Sequence, residues 1–431
     1  RCLSDWSSDV CSSDLMLVNP AKKEKKKTAI VIENGIITDI TDKPDESGAQ
    51  IINADGMIVS PGFIDIHVHF RDPGYEHKED IHSGLRAAAA GGFTSVCTMP
   101  NTNPVADNIE TIRYMLERAA SGNGVKLYPV AAASKGLKGE GLSPIGELKE
   151  GGAVAVSDDG KPIKNTDLLK RVMEYGSSFD MKYISHSEDT YLAEGGQMNE
   201  GFYSTVYGMT GIPVVGEASQ IARDCMMAEY LDLPVHIAHV SAEMSVDIIK
   251  HFKKKGVKVT AETAPHYLIL TDQAVGGFDT NTKINPPLRS EKDRLAVIEA
   301  VKNGLIDAIA TDHAPHHQRE KEVEFNNAPF GIIGLETALP IILKLYHEGH
   351  LTVERVVELF TAGYSIMGLT GGVIEKGAPA DITIFDTDYQ WTVDKNMFQS
   401  KSSNTPFHGF HVKGAVFATV VDGKIVYSRE F

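Results

Sequence analysis

Cysteine, basic residues and long apolar runs are all scarce in this chain of 431 residues. Its four cysteines, at positions 2, 11, 97 and 225, form neither a C-x-x-C pair nor a dense framework, which excludes a disulfide scaffold and indicates a reducing compartment. Lys and Arg number 42 against 58 Asp and Glu, so the net charge of −16 disfavours nucleic acids and anionic membranes as partners. No apolar run reaches the roughly 18 residues that a membrane-spanning helix needs. The composition predicts a cytoplasmic protein.

The sequence also lacks the usual nucleotide and export signals. No G-x-G-x-x-G follows the first strand of the middle region, and no G-x-x-x-x-G-K-[ST] occurs, which excludes dinucleotide-binding and P-loop proteins. Residues 1–15, RCLSDWSSDVCSSDL, have no basic segment followed by an apolar one, so they are not a signal peptide. They look like translated adapter or vector sequence, and we expect them to lie outside the fold.

The middle of the chain alternates short β-branched runs with helical stretches. Eight such units over about 300 residues favour a (β/α)8 TIM barrel over an open sheet. The runs are FIDIHVHF, TSVCTMP, KLYPVAAAS, AVAVSDDG, KYISHSE, VHIAHVS, VKVTAET and DAIATDHAP. We expect the barrel to span residues 63–364.

Both ends of the chain are rich in short β-branched runs joined by turn signals. TAIVIENGIITDI contains Asn34-Gly35, and GAVFATVVDGKIVYS contains Asp422-Gly423, two dipeptides typical of tight hairpins. Neither end is long enough to form a good sandwich alone. We therefore predict a small β-sandwich domain formed by residues 16–62 and 365–431 together.

Histidines and aspartates stand where the predicted barrel strands end. Because the C-terminal strand ends of a barrel converge on one face, these side chains are expected to meet in one mouth. Four histidines with carboxylates suit zinc, or manganese or cobalt, and are too many ligands for one open catalytic ion. A pair of ions would lower the pKa of a bound water. The candidates are His67, His69, Asp158, Asp159, His186, His239 and Asp312.

Other histidines nearby have ordinary interpretations. Strand parity places His236 on the face opposite His239, towards the helices. His313, His316 and His317 lie on the loop after the eighth strand, where contact with solvent or substrate is as plausible as metal ligation. The prediction of a metal site rests on finding candidate ligands at the ends of five different strands.

These residues belong to longer motifs that resemble a known family. PGFIDIHVHFRDPG, MPNTNP, the Asp-Asp-Gly at 158–160, HVS at 239–241, NPPLR at 285–289 and ATDHAPH at 310–316 are similar to motifs of the amidohydrolase superfamily. Within it they resemble the type I dihydroorotases of pyrimidine synthesis. The resemblance runs from about Ile30 to the C-terminus. It implies a metal-dependent barrel enzyme that hydrolyses a cyclic amide.

The resemblance also implies roles for individual residues. It implies that two divalent metal ions per subunit, expected to be zinc, are held by His67, His69, Asp159, His186, His239 and Asp312. Asp312 would also be the catalytic proton shuttle. The substrate would be bound by His69, Arg71, Asn101, Asn285, His316 and the backbone of Phe330 and Gly331. Arg71 can grip the substrate carboxylate as a charge-assisted pair.

The implied reaction is the reversible hydrolysis of (S)-dihydroorotate to N-carbamoyl-L-aspartate, the third step of de novo pyrimidine (UMP) biosynthesis. Hydantoinases, dihydropyrimidinases and allantoinases share the fold and the H-x-H pair. They look to a carboxylated lysine as the metal bridge, whereas strand four here ends in Asp158-Asp159, and their substrates lack the carboxylate that Arg71 would bind.

A second alternative is a non-catalytic dihydroorotase-like partner of aspartate carbamoyltransferase. Such homologues lack metal ligands, whereas all six are present here. The expected partner is the small-molecule substrate, with no nucleic acid and no membrane. We expect a homodimer, and association of an active enzyme with aspartate carbamoyltransferase stays open.

Overall fold

The computed structural model describes residues 9–11, 15–44 and 50–429, whose strands form two large sheets and one short pair. In chain order the strands are β1 Asp9–Cys11, β2 Leu15–Asn19, β3 Glu24–Glu33, β4 Ile36–Thr41, β5 Gln50–Ile52, β6 Ile58–Pro61, β7 Phe63–Val68, β8 Phe93–Thr98, β9 Lys126–Ala132, β10 Ala155–Ser157, β11 Lys182–Ser185, β12 Met198–Asn199, β13 Gly211–Ile212, β14 Val235–Ile237, β15 Val259–Thr263, β16 Ala308–Ile309, β17 Ile382–Thr392, β18 His411–Val421 and β19 Lys424–Ser428.

The α-helices lie mainly between the strands of the middle region. They are α1 Ile81–Ala90, α2 Ile109–Ala120, α3 Ile145–Gly151, α4 Thr166–Ser177, α5 Phe202–Tyr207, α6 Val214–Leu231, α7 Glu243–Lys254, α8 Pro265–Ile269, α9 Glu291–Lys302, α10 Gln318–Lys321, α11 Ala338–His347 and α12 Val353–Met367. Several begin at a side-chain cap: Asp80 accepts from Ser83 N, and Ser290 accepts from Asp293 N. Among the described helices, none combines the length and apolar character that a membrane crossing requires.

Eight parallel strands form the sheet of the middle region, in the order β7, β8, β9, β10, β11, β14, β15, β16. Each coincides with one of the eight β-branched runs, which confirms the predicted (β/α)8 barrel. The first and last strands meet beyond β16, where Val68 pairs with His313 in parallel and the His69 amide donates to the His313 carbonyl at 2.8 Å. This contact closes the barrel at its C-terminal end.

The end of the barrel opposite that contact is filled by apolar side chains. Ile64 and Ile66 of β7 pack with small residues of the other strands, and Tyr364, Ile366 and Met367 of α12 cover them. A Cβ on Gly363 would come within 2.6 Å of Ile66 Cγ2, so α12 approaches β7 as closely as only glycine permits. The predicted domain boundary at 364/365 therefore falls inside a helix that packs against the barrel.

The second large sheet draws strands from both ends of the chain, as predicted, in the order β19, β18, β17, β6, β2, β3, β1, β5, with β4 also paired to β3. Strand β3 pairs with β2 through its first half and with β4 through its second half. The β3–β4 hairpin turns at Asn34 and Gly35, whose φ angles of 52° and 81° suit the predicted tight turn. Leu17, Ile32, Ile382 and Val420 share one apolar core, so the two chain ends are joined by packing as well as by pairing.

Part of the N-terminal segment takes part in this sheet. Asp9–Cys11 pair with β3 and β5, and Leu15 begins β2 with its side chain fully buried. We expected residues 1–15 to lie outside the fold, and these four positions do not. Positions 1–8 and 12–14 of that segment lie outside the described residues. Its origin as adapter or vector sequence stays a prediction.

Candidate metal centre and active site

All six predicted metal ligands lie at the C-terminal mouth of the barrel. His67 is on β7, and the others follow strand ends by one to three residues: His69 after β7, Asp159 after β10, His186 after β11, His239 after β14 and Asp312 after β16. All six are buried. The parallel strands thus bring together ligands from five units of the barrel.

Asp159 lies at the centre of the histidines. Its Oδ1 is 3.1 Å from His186 Nδ1, 3.3 Å from His67 Nε2 and 3.7 Å from His239 Nε2. Its Oδ2 is 3.4 Å from His69 Nε2. A carboxylate placed against four imidazoles in this way has the geometry of a group shared between two binding positions.

The ring nitrogens of His67 and His69 that point outward are already used. His67 Nδ1 donates to Glu262 Oε1 at 2.9 Å, and His69 Nδ1 donates to Asn101 Oδ1 at 2.8 Å. With Nδ1 protonated in a neutral ring, Nε2 carries a lone pair, and both Nε2 atoms face the oxygens of Asp159 and Asp312. Lone pairs and carboxylates that face one another repel unless a cation, either a proton on Nε2 or a metal ion, lies between them. Burial would lower the pKa of His67, yet the carboxylates of Asp159, Glu262 and Asp312 raise it well above its ordinary value. The site therefore attracts positive charge and fits metal ions.

Two further observations agree with that fit. Within the described part of the chain, His67 Nε2 and His239 Nδ1 are buried without a hydrogen-bond partner. Two sets of possible ligand atoms cluster within 4.8 Å of one another, namely His67, Asp159 and His239, and His67, His69 and Asp312. Imidazole and carboxylate donors of this kind suit zinc and related divalent ions.

His186 lies beside these clusters and in neither of them. Its Nδ1 is 2.9 Å from His239 Nε2, and its Nε2 is 3.4 Å from Glu188 Oε2. The structure therefore brings His186 to the mouth with the other five ligands, next to His239. Its ligation of a metal stays a prediction.

A pocket of about 250 Å³ opens onto this cluster. Every predicted site residue except His67 lines it, and His67 is buried just behind. The lining residues are His69, Arg71, Asn101, Asp159, Gly160, His186, His239, Asn285, Asp312, Ala314, His316, Phe330 and Gly331. Residues from eight separate segments thus meet around one small cavity.

The predicted substrate-binding residues line the same cavity as the metal ligands, and several are held by a neighbour. Arg71 Nε donates to the Pro315 carbonyl at 3.2 Å, which leaves the rest of the guanidinium free to face the cavity. Asn285 Nδ2 donates to Glu188 Oε1 at 3.0 Å. Both side chains are therefore held in position before a substrate binds.

His316 is fixed at both ring nitrogens. Its Nε2 donates to the Phe330 carbonyl at 2.8 Å, and Lys78 Nζ lies 3.4 Å from its Nδ1. Burial, together with the neighbouring cations Arg71, Lys321 and Lys78, lowers the pKa of His316 to about 2, so the imidazole is neutral. By contrast, His313 and His317 do not line the pocket: His313 Nδ1 accepts from Gly334 N, and His317 caps α10.

Three site residues have left-handed backbone conformations. The φ angles are 63° at Arg71, 36° at His239 and 50° at Asp312. Such conformations cost about 1–3 kcal/mol each for residues other than glycine and persist where the surrounding fold imposes them. Each lies just beyond a strand, where the kink turns a side chain into the mouth.

Opposing charges set the protonation of the carboxylates. Burial alone would raise the pKa of Asp159, but the charge of a protonated His67 and the nearby imidazoles of His186 and His239 hold it well below its ordinary value. For Asp312, burial is likewise outweighed by the hydrogen bond from His69 and the nearby His67, and the pKa falls to about 2. Both groups are therefore ionised at neutral pH.

The prediction for His236 is wrong. His236 Nε2 is 3.2 Å from Glu262 Oε2, and the other oxygen of Glu262 bonds His67, so His236 points towards the barrel interior. Strict alternation fails because β14 ends at Ile237 and His239 has a positive φ, which lets both histidines reach the same side of the strand.

Two carboxylates near the site were missed in the sequence. Glu262 on β15 links His67 to His236, and burial that would raise its pKa is overcome by those two histidines, so the pKa is about 2. Glu188 links His186 to Asn285. A glutamate inside a predicted barrel strand was the available signal for Glu262, since an unpaired charge is rare there.

Asp158, which the sequence also offered as a candidate, accepts from the Ser134 amide at 2.9 Å and points away from the cavity.

Comparison with known sequences places the chain among dihydroorotases. Residues 56–245 match a family model described as dihydro-orotase-like. The dihydroorotase of Acetivibrio thermocellus is 52% identical over 412 residues, which cover 95% of this chain and 97% of that protein. The dihydroorotase of Geobacter metallireducens is 51% identical over 415 residues, covering 96% and 98%.

Among solved structures, a hydantoinase and a dihydropyrimidinase are similar to this chain. The L-hydantoinase (dihydropyrimidinase) of Arthrobacter aurescens has a TM-score of 0.89 at 25% identity, covering 99% of this chain and 97% of its own. A dihydropyrimidinase of Brevibacillus agri has a TM-score of 0.85 at 21% identity, which shows the shared fold. The two dihydroorotases are identical to this chain at about half of the positions and match nearly its whole length. The chain therefore belongs to the dihydroorotase family.

Proposed function

We propose that this protein is a dihydroorotase, a cyclic amide hydrolase that interconverts (S)-dihydroorotate and N-carbamoyl-L-aspartate in pyrimidine biosynthesis. The observation that carries the proposal is the pocket itself, in which the Arg71 guanidinium and the histidine and aspartate cluster line one small cavity. Dihydroorotate has a carboxylate and a cyclic amide on one ring, so the cavity offers a partner for each of the two groups.

Two divalent ions, zinc being the expected metal, would be held by His67, His69, Asp159, His186, His239 and Asp312. When bound, they would supply Lewis-acid polarisation of the ring amide and a water of lowered pKa. Glu262 and Asn101 contribute by fixing His67 and His69 with Nε2 turned inward.

The substrate is held by the wall that contains Arg71. The guanidinium of Arg71 binds the ring carboxylate as a charge-assisted pair, and Asn101 offers its Nδ2 because its Oδ1 is occupied by His69. Asn285 and the neutral His316 flank the ring, and the backbone of Phe330 and Gly331 lies over it. These contacts orient the scissile amide towards Asp312.

Asp312 moves the proton. Its ionised carboxylate accepts a proton from the attacking water and then donates it to the ring nitrogen that leaves when the C–N bond breaks. In the synthetic direction the same carboxylate accepts the proton from the carbamoyl nitrogen as the ring closes. His69 Nε2 lies 3.1 Å from Asp312 Oδ1, so these two ligands are adjacent in the mouth.

A hydantoinase-like activity is the second candidate, and the similarity to the Arthrobacter enzyme favours it. Two features of this chain oppose it: an aspartate, Asp159, lies where those relatives use a carboxylated lysine, and Arg71 has no carboxylate to bind on hydantoin. A non-catalytic role is opposed by the presence of all six ligands in one mouth.

A direct comparison of substrates tests the proposal. The purified chain is assayed spectrophotometrically with dihydroorotate, hydantoin and allantoin, and the same preparation is analysed for metal. We expect turnover of dihydroorotate alone and about two divalent ions per chain, as two-metal hydrolases contain. Faster turnover of hydantoin or allantoin would reassign the protein to the second candidate.

The Arg71→Ala variant separates substrate binding from metal binding. Loss of a charge-assisted contact to the carboxylate should raise KM for dihydroorotate by about 100-fold, which corresponds to roughly 2.7 kcal/mol. Metal content should match that of the wild type, because Arg71 touches none of the six ligands in this structure. Unchanged kinetics would refute the assignment of the carboxylate to Arg71.

We further propose a cytoplasmic homodimer built from a barrel domain, residues 63–364 with the remainder of α12, and a β domain from the chain ends. Light scattering of the purified chain, alone and mixed with aspartate carbamoyltransferase, tests the subunit number and that possible association.

A further inference from the structure

The connection between β17 and β18 crosses from the second sheet to the mouth of the barrel. We name residues 399–405 the strap. At its start, the amides of Gln399 and Ser400 donate to Glu336, and the Ser400 hydroxyl donates to Glu79. The strap then runs beneath the loops that carry His316 and Gly331.

Asn404, near the end of the strap, joins those two loops with its side-chain amide. Its Oδ1 accepts from the His316 amide at 3.1 Å. Its Nδ2 donates to the carbonyls of Ala314 and Gly331, both at 3.1 Å. All three partners line the substrate pocket, and Asn404 itself is only 4% exposed.

The chemistry of the partners fixes the orientation of this amide. An acceptor is required by the His316 N–H, and donors are required by the two carbonyls, so only one of the two flipped orientations of the carboxamide satisfies all three. The neighbouring Ser402 hydroxyl lies 2.9 Å from the His316 carbonyl and 2.7 Å from the Lys78 carbonyl, so its single proton is shared between them. The strap therefore contacts both main-chain groups of His316.

The backbone of Gly331 shows why the separation of these loops matters. Its φ is 128°, and a Cβ there would meet Ala314 Cβ at 2.8 Å and His316 Nε2 at 3.2 Å. The two loops are thus packed as closely as glycine allows. A tether that binds Ala314, His316 and Gly331 at once sets the width of this side of the pocket.

We infer that Asn404 is a positioning residue for substrate binding, by which the second sheet holds the His316 and Gly331 loops at the spacing that the dihydroorotate ring requires. The inference rests on the proposed function. Asn404 touches none of the six metal ligands in this structure, and it acts on groups that contact the ring throughout the reaction. Its loss should therefore weaken ground-state and transition-state binding alike.

Kinetics of the full chain carrying Asn404→Ala or Asn404→Ser test the inference, and Ser403→Ala is the matched control in the same strap. We expect KM for dihydroorotate to rise by about tenfold or more in both Asn404 variants, with kcat within about threefold of wild type. Metal content and Tm should stay close to wild type, and Ser403→Ala should leave all four values unchanged. A smaller rise in KM, or one that appears only with loss of metal or of folding, would overturn the inference.

Hydrogen exchange supplies a readout that does not depend on activity. The His316 amide bonds the side chain of Asn404, whereas the Ile333 amide bonds its main-chain carbonyl at 3.0 Å and serves as an internal control. In Asn404→Ala we expect faster exchange at His316 and unchanged exchange at Ile333. Equal exchange at His316 in variant and wild type would overturn the positioning role. If the wild-type chain leaves dihydroorotate intact, the proposed function fails, and the exchange at His316 alone decides the inference.

Discussion

The two ends of the barrel interior are filled by opposite kinds of side chain. At the closed end, Ile64, Val130, Ile184 and Ala308 pack under α12 with few polar atoms among them. At the mouth, a few residues further along the barrel strands, the interior holds the four histidine ligands and the carboxylates of Asp159, Glu262 and Asp312. One end is built as a packed core, and the other contains charged groups that become favourable only with a bound cation.

This difference separates stability from activity along the barrel axis. Buried ionisable groups cost free energy unless they are paired or liganded, while apolar packing lowers it. Changes at the mouth should therefore affect turnover with little effect on folding, and changes at the closed end should do the reverse. The following four experiments, in order of expected effect, test that division.

Removal of metal should have the largest effect. After exhaustive chelation we expect hydrolysis of dihydroorotate to fall to background, because the Lewis acid and the water of lowered pKa that the ions would supply are then lost. Added zinc, cobalt or manganese should restore it. Circular dichroism should show the barrel folded throughout, since its closed end needs no ion. Full activity in a preparation free of metal would contradict the assignment of a metal site to the mouth.

The Asp312→Asn variant should lose at least about 100-fold in kcat, the usual size of a general acid–base contribution. An amide cannot accept the proton, yet it has the same shape and can still bond His69. Tm should therefore stay close to that of wild type. Turnover above about one hundredth of the wild-type rate would end the proton-shuttle assignment.

The Ile64→Ala variant tests the closed end of the barrel. Truncating this buried residue should cost about 2–5 kcal/mol in the free energy of unfolding, because a cavity opens against α12. Measured by denaturant titration, the loss should appear with kcat per folded molecule unchanged. A fall in kcat at full folding would show that the closed end and the mouth are coupled.

The Glu262→Gln variant should have the smallest effect, since it perturbs the mouth indirectly. Its amide can accept from His67 but carries no charge, so metal affinity should fall by about 10- to 100-fold, as is usual when a partner of a ligating histidine is changed. At saturating metal, kcat should recover to within a few fold of wild type. Competition with a chelator indicator measures the affinity, and an unchanged value would mean that Glu262 serves only His236.

Most of the fold could be predicted because its signals are local. Each barrel strand is a β-branched run bounded by turn residues, and the hairpin at Asn34-Gly35 is set by two adjacent residues. The ligands could be placed because barrel geometry carries every strand end to one mouth. The short strand Asp9–Cys11 could not be found, because three residues without apolar alternation contain no signal of their own.

What the sequence did not reveal depends on contacts between distant segments. His236 was assigned to the wrong face because alternation stops where the backbone kinks at His239. Asn404 is 88 residues from His316, and nothing in its neighbourhood indicates that its amide lies beneath a pocket. Residues of this kind satisfy hydrogen bonds of another loop, and only the folded structure shows which loop that is.

The seam between Val68 and His313 has a consequence for how the protein is made. The ligands His67 and His69 flank Val68 on one side of this seam, and Asp312 adjoins His313 on the other, so the first and last units of the barrel must meet before the metal centre exists. A ribosome releases His67 long before Asp312, and the growing chain is therefore inert until the eighth strand has emerged. A metal ion bound by His67, His69 and Asp312 would link the first and the last parts of the barrel to be synthesised.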